Sequence, residues 1–424
     1  MFKKIITLFL AVLFISCLGM LYAQEEPALQ NMIEQARKNN PEILAAKKRW
    51  EAAKARVPQA KAWDDPVIGI KFEKIPRGTI KFDRTMPDDR MLSIAQSIPL
   101  LGKLSLKGKI ALLQAQMAAS EYKNEELNVV KDVKSAYYDL FMAQKEIELK
   151  ELSMLFLDDI SQVAEAKYVV SDVSYAQILK IHLEISRLSN DIENLKKALP
   201  AKEARLNSLM NVPQENKIGF VSLKDDGLFS KDNSALQKLA EENSPELKVF
   251  SYMIERNKHI KSLVKKNIFP DIMTEVALRG ITSAAIGPWD LALSLSLPLW
   301  FWSKQRYEIK EAVADLEEAE AVYAAMKNKV LWEITNLASK LEIAQNKIKL
   351  YKTDLLSLSD NSLESLRASY LSSQADFADL LDALRMFIDI KMSYYSALVE
   401  YNMNLVELES LVGHAVPGGS NEEK

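Results

Sequence analysis

The chain has 424 residues, 48% of them apolar and 27% charged, with 55 Lys and Arg against 58 Asp and Glu for a net charge of −3. This is the composition of ordinary folded protein, long enough for two or three domains. Its acidic balance gives no basis for a nucleic-acid partner, and its single Cys excludes a disulfide within the chain.

The first element is a leader. Lys3 and Lys4 precede an uncharged apolar run from Ile5 to Tyr22 that ends at LYA and meets QEEPA, the order of a secretory signal peptide. Residues 1–23 are expected to be removed, with Ala23 the last to go, which leaves 53 basic against 58 acidic residues and a net charge of −5. Cys17 lies within the run. FISC offers a site for lipidation, with Cys17 as the acylated N-terminus. However, LGMLYA after Cys17 is apolar where a lipoprotein tether is polar, and an ordinary place in the apolar run is the alternative.

A first helix opens at ALQNMIEQARKNNPEI (28–43), and strand candidates follow at 66–73 and 90–98. Residues 104–167 contain no Pro and as one helix would reach about 95 Å. A break at YVVSDVSYAQIL (168–179) leads to a return helix whose Ile181, Ile185, Leu188, Ile192, Leu195 and Leu199 form a packing seam. Pro200, which lacks an amide hydrogen, is expected to interrupt that helix near Leu199. Residues 213–234 connect to a second pass over the same plan.

In that second pass ALQKLAEENSPEL (235–247) answers the first helix, and Pro245 and Pro270 stand 204 residues after Pro41 and Pro66. SIPLLGKLSLKGKIA (97–111) is answered by SLPLWFWSKQRYEIKEA (296–312), and AKYVVSDVSYAQIL by ASYLSSQADFADLL at an offset of 202. Four landmarks in one order and nearly one spacing mark an internal duplication, with repeats at 24–212 and 235–413 and a disordered tail at 414–424. Val330, Ile334, Leu337, Leu341, Ala344, Ile348, Tyr351, Leu355 and Leu358 step by fours and threes, the seam of a helix packed in coiled-coil fashion. Leu380, Leu384, Phe387, Tyr394, Leu398, Tyr401, Leu405, Leu408 and Val412 do the same on the return, with Lys391 as the one polar member.

Strand candidates recur at 270–278 and 290–298. The last, DLALSLSLP, sets Leu291, Leu293, Leu295 and Leu297 on one face. In 91–98 the alternation is less clean, since Gln96 stands among Leu92, Ile94 and Ile98. Alternation alone suits a half-wet soluble sheet as well as a membrane barrel. Trp289 before the Leu strand and Trp300, Phe301 and Trp302 after it supply aromatic belts about one bilayer apart, which favours lipid on the Leu face. Four strands cannot close a barrel, and an open sheet in lipid leaves costly unpaired backbone groups. Two copies would make a narrow, filled barrel, whereas three would make twelve strands around an open lumen. The expected fold is therefore mainly α with a small β part. Long antiparallel coiled-coil helices form a trimeric α-barrel, joined to a 12-stranded transmembrane β-barrel with four strands per protomer.

The double repeat, the paired SIPL and SLPL strand exits and the Tyr-led turn before each return helix resemble the TolC family of outer membrane efflux proteins, over nearly the whole chain beyond the leader. The strand-exit phrases are most similar to its heavy-metal branch, the CusC and CzcC type. The resemblance implies a homotrimer in outer membrane lipid with a long periplasmic tunnel. It also implies docking through a periplasmic adaptor, or membrane fusion protein, on an inner membrane pump of RND type. In the family the Tyr-led turn lies at the periplasmic tip, and acids after it line the closed entrance. Asp379 and Asp382, nine and twelve residues after Tyr370, stand at those positions. At 100° per residue the two lie about 60° apart on a helix and off its seam. In a trimer they would form a ring of six carboxylates that attracts cations and repels anions. Solvated acids near a helix start, favoured by the macrodipole, are the plainer alternative.

Tyr370 would help lock the tip, and Asp376 or Asp172 would serve as gate residue or helix cap. This sequence departs from the family where Ser171 and Ser373 replace the usual Gly of the turn, which weakens the expectation of left-handed backbone there. Gln177 stands where the second copy has Asp379, and Ala375 where some relatives have an Arg of the closing network.

No enzyme is expected. His182, His259 and His414 are unpaired at ligand spacing, the Met residues (Met117, Met142, Met154, Met386 and Met392 among them) are scattered, and no phosphate loop or nucleophile elbow occurs. No cofactor or bound metal is expected either. The alternative to a conduit is a periplasmic coiled-coil adaptor or structural stalk. Two hairpins and two separated strand pairs count against it, because adaptors carry one hairpin flanked by compact β domains.

Overall fold

The computed structural model describes residues 29–74, 89–223, 232–280 and 287–414. The expected signal peptide, Cys17 and the tail from 415 onward lie outside the described residues. In chain order the elements are α1 (Leu29–Asn39), α2 (Pro41–Lys61), β1 (Val67–Phe72), β2 (Arg90–Ile98), α3 (Lys103–Val169) and α4 (Tyr175–Met210). They continue with α5 (Asn233–Asn243), α6 (Pro245–Lys266), β3 (Asp271–Arg279), β4 (Trp289–Ser296), α7 (Gln305–Leu350), a π turn (Tyr351–Leu355), α8 (Leu356–Leu371) and α9 (Phe377–Val412).

Two passes over one plan are visible in the lengths. Helices α1 and α5 have 11 residues each, and α4 and α9 have 36 each. Helix α3 has 67 residues, as do α7, the π turn and α8 together, every boundary shifted by 202. The NPE and SPE phrases start helices for a local reason. Asn40 Oδ1 accepts from the Glu42 amide at 2.8 Å and Ser244 Oγ from the Leu247 amide at 3.5 Å, each with Pro at the first helical position, where its missing amide costs nothing.

Helix α4 does not stop at Pro200 but runs through it to Met210, which corrects the expected interruption. Pro200 removes one hydrogen bond from a 36-residue helix. It stands on the water-exposed side with Lys196 and Lys197, so the carbonyl it orphans is open to solvent.

The long seam is also altered. Val330, Ile334, Leu337, Leu341, Ala344 and Ile348 are buried as expected, but Leu358 is 62% exposed while Ser359 and Leu363 are buried. A π turn takes one residue more than an α turn, so the inward stripe moves on by one position across Tyr351–Leu355. On α9 the seam from Leu380 to Val412 is buried except Lys391 and Tyr394, which are partly covered.

The four strands form one antiparallel sheet in the order β1-β2-β3-β4. Packing divides the described residues into two compact units: those within 45–124 and 243–331, which contain the sheet, and the remainder. Each unit draws on both repeats. No helix among the described residues is long and apolar enough to cross a membrane.

Candidate functional site

The register assigns each strand residue to a face, because directly opposed residues point the same way. One face carries the rows Ile70–Leu92–Leu278–Trp289, Ile68–Ile94–Val276–Leu291 and Ile98–Ile272–Leu295. It is apolar across all four strands, and Leu293 on it is 68% exposed. Arg90, opposite Phe72, is the charge at one end of this face, and the polar row within it, Gln96–Thr274–Leu293, satisfies itself. Gln96 Nε2 donates to the carbonyls of Asp64 (2.8 Å) and Ser97 (3.0 Å), and Thr274 Oγ1 donates to the Gln96 carbonyl.

The opposite face carries Gly69, Ser93, Ala277 and Asp290, then Val67, Ala95, Glu275 and Ala292, then Lys71, Met91 and Arg279. Several of its charges pair with one another. Arg279 reaches Asp290 of β4 at 2.6 Å and Glu73 beyond β1 at 3.6 Å, and Lys71 reaches Glu73 at 2.8 Å. One face is thus apolar apart from Arg90 and the Gln96–Thr274 row, and the other carries most of the charges. Leu297 falls just past β4 but is equally exposed. Trp289 stands at one end of the apolar face, and Trp300 and Trp302 follow the other end with Phe301 edge-on to Trp302 at 5.0 Å. Trp63, exposed just before β1, is a further aromatic the sequence reading passed over.

At the same end the start of α3 is anchored to β3. Lys103, almost wholly buried, bonds Asp271 at 2.8 Å and the Phe269 carbonyl at 2.9 Å. A cation at a helix N-terminus opposes the macrodipole and needs an acidic partner, a signal that was present in PLLGK.

In the other unit, α3 and α4 form one helical hairpin and α8 and α9 a second. Both turns are built alike: Ser171 and Ser373 have φ of 60°, and their amides bond the carbonyls of Tyr168 (2.9 Å) and Tyr370 (3.1 Å). Left-handed backbone is therefore kept without Gly. The strain, on the order of 1 kcal/mol for a non-glycine residue, is offset by these turn bonds and, at Ser373, by its side chain.

That side chain belongs to a latch between the hairpins. Lys167 Nζ donates to the Tyr370 carbonyl at 2.5 Å and to Ser373 Oγ at 2.7 Å, and lies 5.0 Å from the Tyr370 ring centre. Ser373 Oγ in turn donates to Asp172, which Lys167 approaches to 3.5 Å. Gln177 Nε2 donates to the Tyr370 hydroxyl at 3.3 Å. Tyr370 is fully buried with Leu157, Ile160, Ala164, Ile178, Ile181, Phe377 and Leu384. Burial pushes its phenol up from the usual value, while the Ser373 hydrogen bond and then Lys167 hold the Asp172 carboxyl below its usual value.

Asp376 is the N-cap of α9, its Oδ1 accepting from the Asp379 amide at 3.0 Å. Asp379 and Asp382 are both exposed on the first two turns of α9. Asp382 has a cation near it, Arg385 at 3.8 Å, which also bonds Glu184 of α4 at 2.8 Å. Lys167 and Arg385 were missed from the sequence. The one available signal was asymmetry, since the repeat places Ser369 opposite Lys167 and Leu183 opposite Arg385.

Residues 32–212 match the family model described as outer membrane efflux protein. No curated protein matches. Among solved structures, VceC, the outer membrane protein of Vibrio cholerae, superposes with a TM-score of 0.76 at 14% identity, over 92% of this chain and 97% of that one. CusC does so with the same score and identity over 92% and 93%, and the open state of the Neisseria gonorrhoeae MtrE outer membrane channel likewise over 92% and 89%. The chain shares the fold of these channels.

Proposed function

We propose that this chain belongs to the outer membrane efflux family and is one third of a passive, non-enzymatic conduit. It sits in the outer membrane with a long periplasmic portion, as the outer channel of a tripartite export system. The observation that carries the reading is the sheet, whose exposed face is apolar from β1 to β4 while the opposite face holds paired charges. A sheet with an exposed apolar face and two free edges avoids unpaired backbone in lipid only by closing with further copies. Three copies give twelve strands, a barrel wide enough for a lumen. Leu291, Leu293, Leu295 and Leu297 then face lipid, and Trp289, Trp300 and Trp302 lie at its two interfaces. Asp379 and Asp382 line the periplasmic entrance, with Tyr370 and Asp376 holding the tip in shape.

A periplasmic adaptor and an inner membrane pump of RND type are the proposed partners, and small molecules or metal ions the cargo. The resemblance of the strand-exit phrases to the heavy-metal branch makes a metal ion the first cargo to test. The likeness to CusC is no greater than to VceC or MtrE. The test is native mass in mild detergent together with planar-bilayer conductance. A trimer with discrete ion conductance is expected, and a monomer that ignores detergent micelles would refute the reading.

A further inference from the structure

The two connections from strand to long helix are unequal. From SIPL (97–100) to α3 the chain takes two residues, Leu101 and Gly102, whereas from SLPL (296–299) to α7 it takes five, Trp300 to Lys304. The short connection is tied inward. Leu101 and Gly102 have φ of 58° and 72°, the Leu101 carbonyl accepts from Lys266 Nζ at 2.6 Å, and Lys103 is buried on Asp271. The long connection closes on itself. The Trp300 carbonyl accepts from the Ser303 and Lys304 amides at 3.0 and 2.9 Å, and the Phe301 carbonyl from the Arg306 amide at 2.9 Å. Trp300, Phe301 and Trp302 all stay more than half exposed.

The cations that follow are also exposed. Neither Lys304 nor Arg306 has an acidic partner among the described residues. Both stand at the start of α7, where the macrodipole disfavours a cation without an anion beside it; at the start of α3, Lys103 has Asp271. At 100° per residue Lys310 lies about 40° round the helix from Arg306, while Glu308 and Glu311 lie about 160° and 140° away. The cations therefore share a face that leaves the acids out. The surrounding segments 61–65, 101–112, 261–271 and 299–312 together hold ten Lys and Arg against five Asp and Glu, in a chain whose total is acidic. At the other end of the sheet Arg279, Lys71 and Lys74 each have a carboxylate, Asp290 at 2.6 Å, Glu73 at 2.8 Å and Asp89 at 3.1 Å. Unpaired positive charge is thus gathered at the end that carries Trp300 and Trp302.

We infer that the loop from Trp300 to Arg306, with Lys310 one turn on, binds the phosphate of an anionic phospholipid in the leaflet that faces the periplasm. The inference rests on the proposed function, which sets the Leu face of β4 in hydrocarbon, and it adds the class of lipid held at its edge. Continuity along the chain carries it. The apolar row ends at Leu295 and Leu297, Trp300 and Trp302 follow, and Lys304 and Arg306 come next, the order of acyl chain, glycerol and phosphate met on leaving a bilayer. Both long helices leave from this end, so the leaflet is the periplasmic one. The Arg306 guanidinium offers a fork of donors to phosphate oxygens, and Lys304 adds a point charge. A zwitterionic headgroup brings its own ammonium group to the same phosphate, so an anionic headgroup is preferred. The second connection is longer because it holds lipid, where the first holds Lys103.

The test is native mass spectrometry of the full chain in mild detergent with phosphatidylglycerol or phosphatidylethanolamine of matched acyl chains added. Wild-type protein is expected to retain phosphatidylglycerol in preference. Lys304→Gln with Arg306→Gln should weaken that retention about thirtyfold, the worth of two surface cations beside anionic lipid, whereas Lys71→Gln with Lys74→Gln should retain it like wild type. Trimeric wild-type protein that holds both lipids equally, or equal losses in the two double variants, would overturn the inference and leave the proposed function standing; a monomer that ignores micelles would overturn both. A Lys304 and Arg306 variant that keeps the lipid but loses trimeric mass would also overturn it, by assigning the loop to the junction between copies. Should that variant not fold, a salt series on wild-type protein decides. A preference lost at high salt supports the site, and one that ignores salt overturns it.

Discussion

Lys167 shows how much one side chain can hold. Its ammonium group meets a carbonyl, a hydroxyl, a carboxylate and an aromatic face within one turn of helix, and all but its own partner Asp172 belong to the other hairpin. A hydrogen bond to a charged donor contributes roughly 1.5–3 kcal/mol. Lys167→Met should therefore raise the open-to-closed ratio of the tip by about tenfold or more, read as higher conductance or faster entry of a large cation. An unchanged conductance would mean that the latch does not restrain opening.

The latch also has a definite pH range. The Asp172 carboxyl sits below its ordinary value, so its contribution is complete above about pH 4 and is lost as pH falls through the lowered value. The Tyr370 phenol sits above its ordinary value, so its contribution is complete below about pH 10 and is lost only above that. Between those limits neither of these two groups adds a pH dependence to the tip. Asp172→Asn should remove the acid-side loss in a pH series of protease protection at the tip, and wild-type-like acid sensitivity in that variant would assign the loss elsewhere.

Among the elements, β4 and α9 repay comparison. Both were legible, β4 from strict alternation and α9 from its steps of four and three, because each buries or presents one continuous stripe. On β4 the two faces differ by one residue step, which gives a paired test. Leu293→Arg should impair assembly by about 2–4 kcal/mol if it meets mid-membrane hydrocarbon, whereas Ser294→Arg on the polar face should assemble normally. The measurement is heat-modifiable gel mobility of membrane fractions; equal defects would place neither face in lipid. The helix that misled the reading was α7 with α8. Its apolar steps continue through Tyr351 and Leu355 to Leu358, yet the π turn rotates the next segment so that Leu358 faces out. A change of helix type leaves no mark in hydrophobic spacing. Pro200 misled in the opposite direction, since one missing hydrogen bond on a wet face is affordable within a long helix.

For the assembled molecule, the acids on α9 carry the prediction. Asp379→Asn with Asp382→Asn should weaken block of the proposed pore by divalent or polyvalent cations, because the carboxylate ring proposed for its mouth would concentrate them there. Arg385 beside Asp382 limits the field, so Arg385→Gln should strengthen the same block. If neither variant alters block, the acids do not face the path.

The residues alone pointed to the duplication, the four strands, the long helices and the positions of the acids, since each of these is written in local spacing and composition, whereas the splitting of the first helix of each pass and the π turn were not. Which residues clasp one another at the tip was settled only by tertiary structure. The partners of Lys167 and Arg385 lie about two hundred positions away along the chain. The distance is closed by packing two nearly identical hairpins together asymmetrically, and nothing in either hairpin's own sequence states which of its sides will be the covered one.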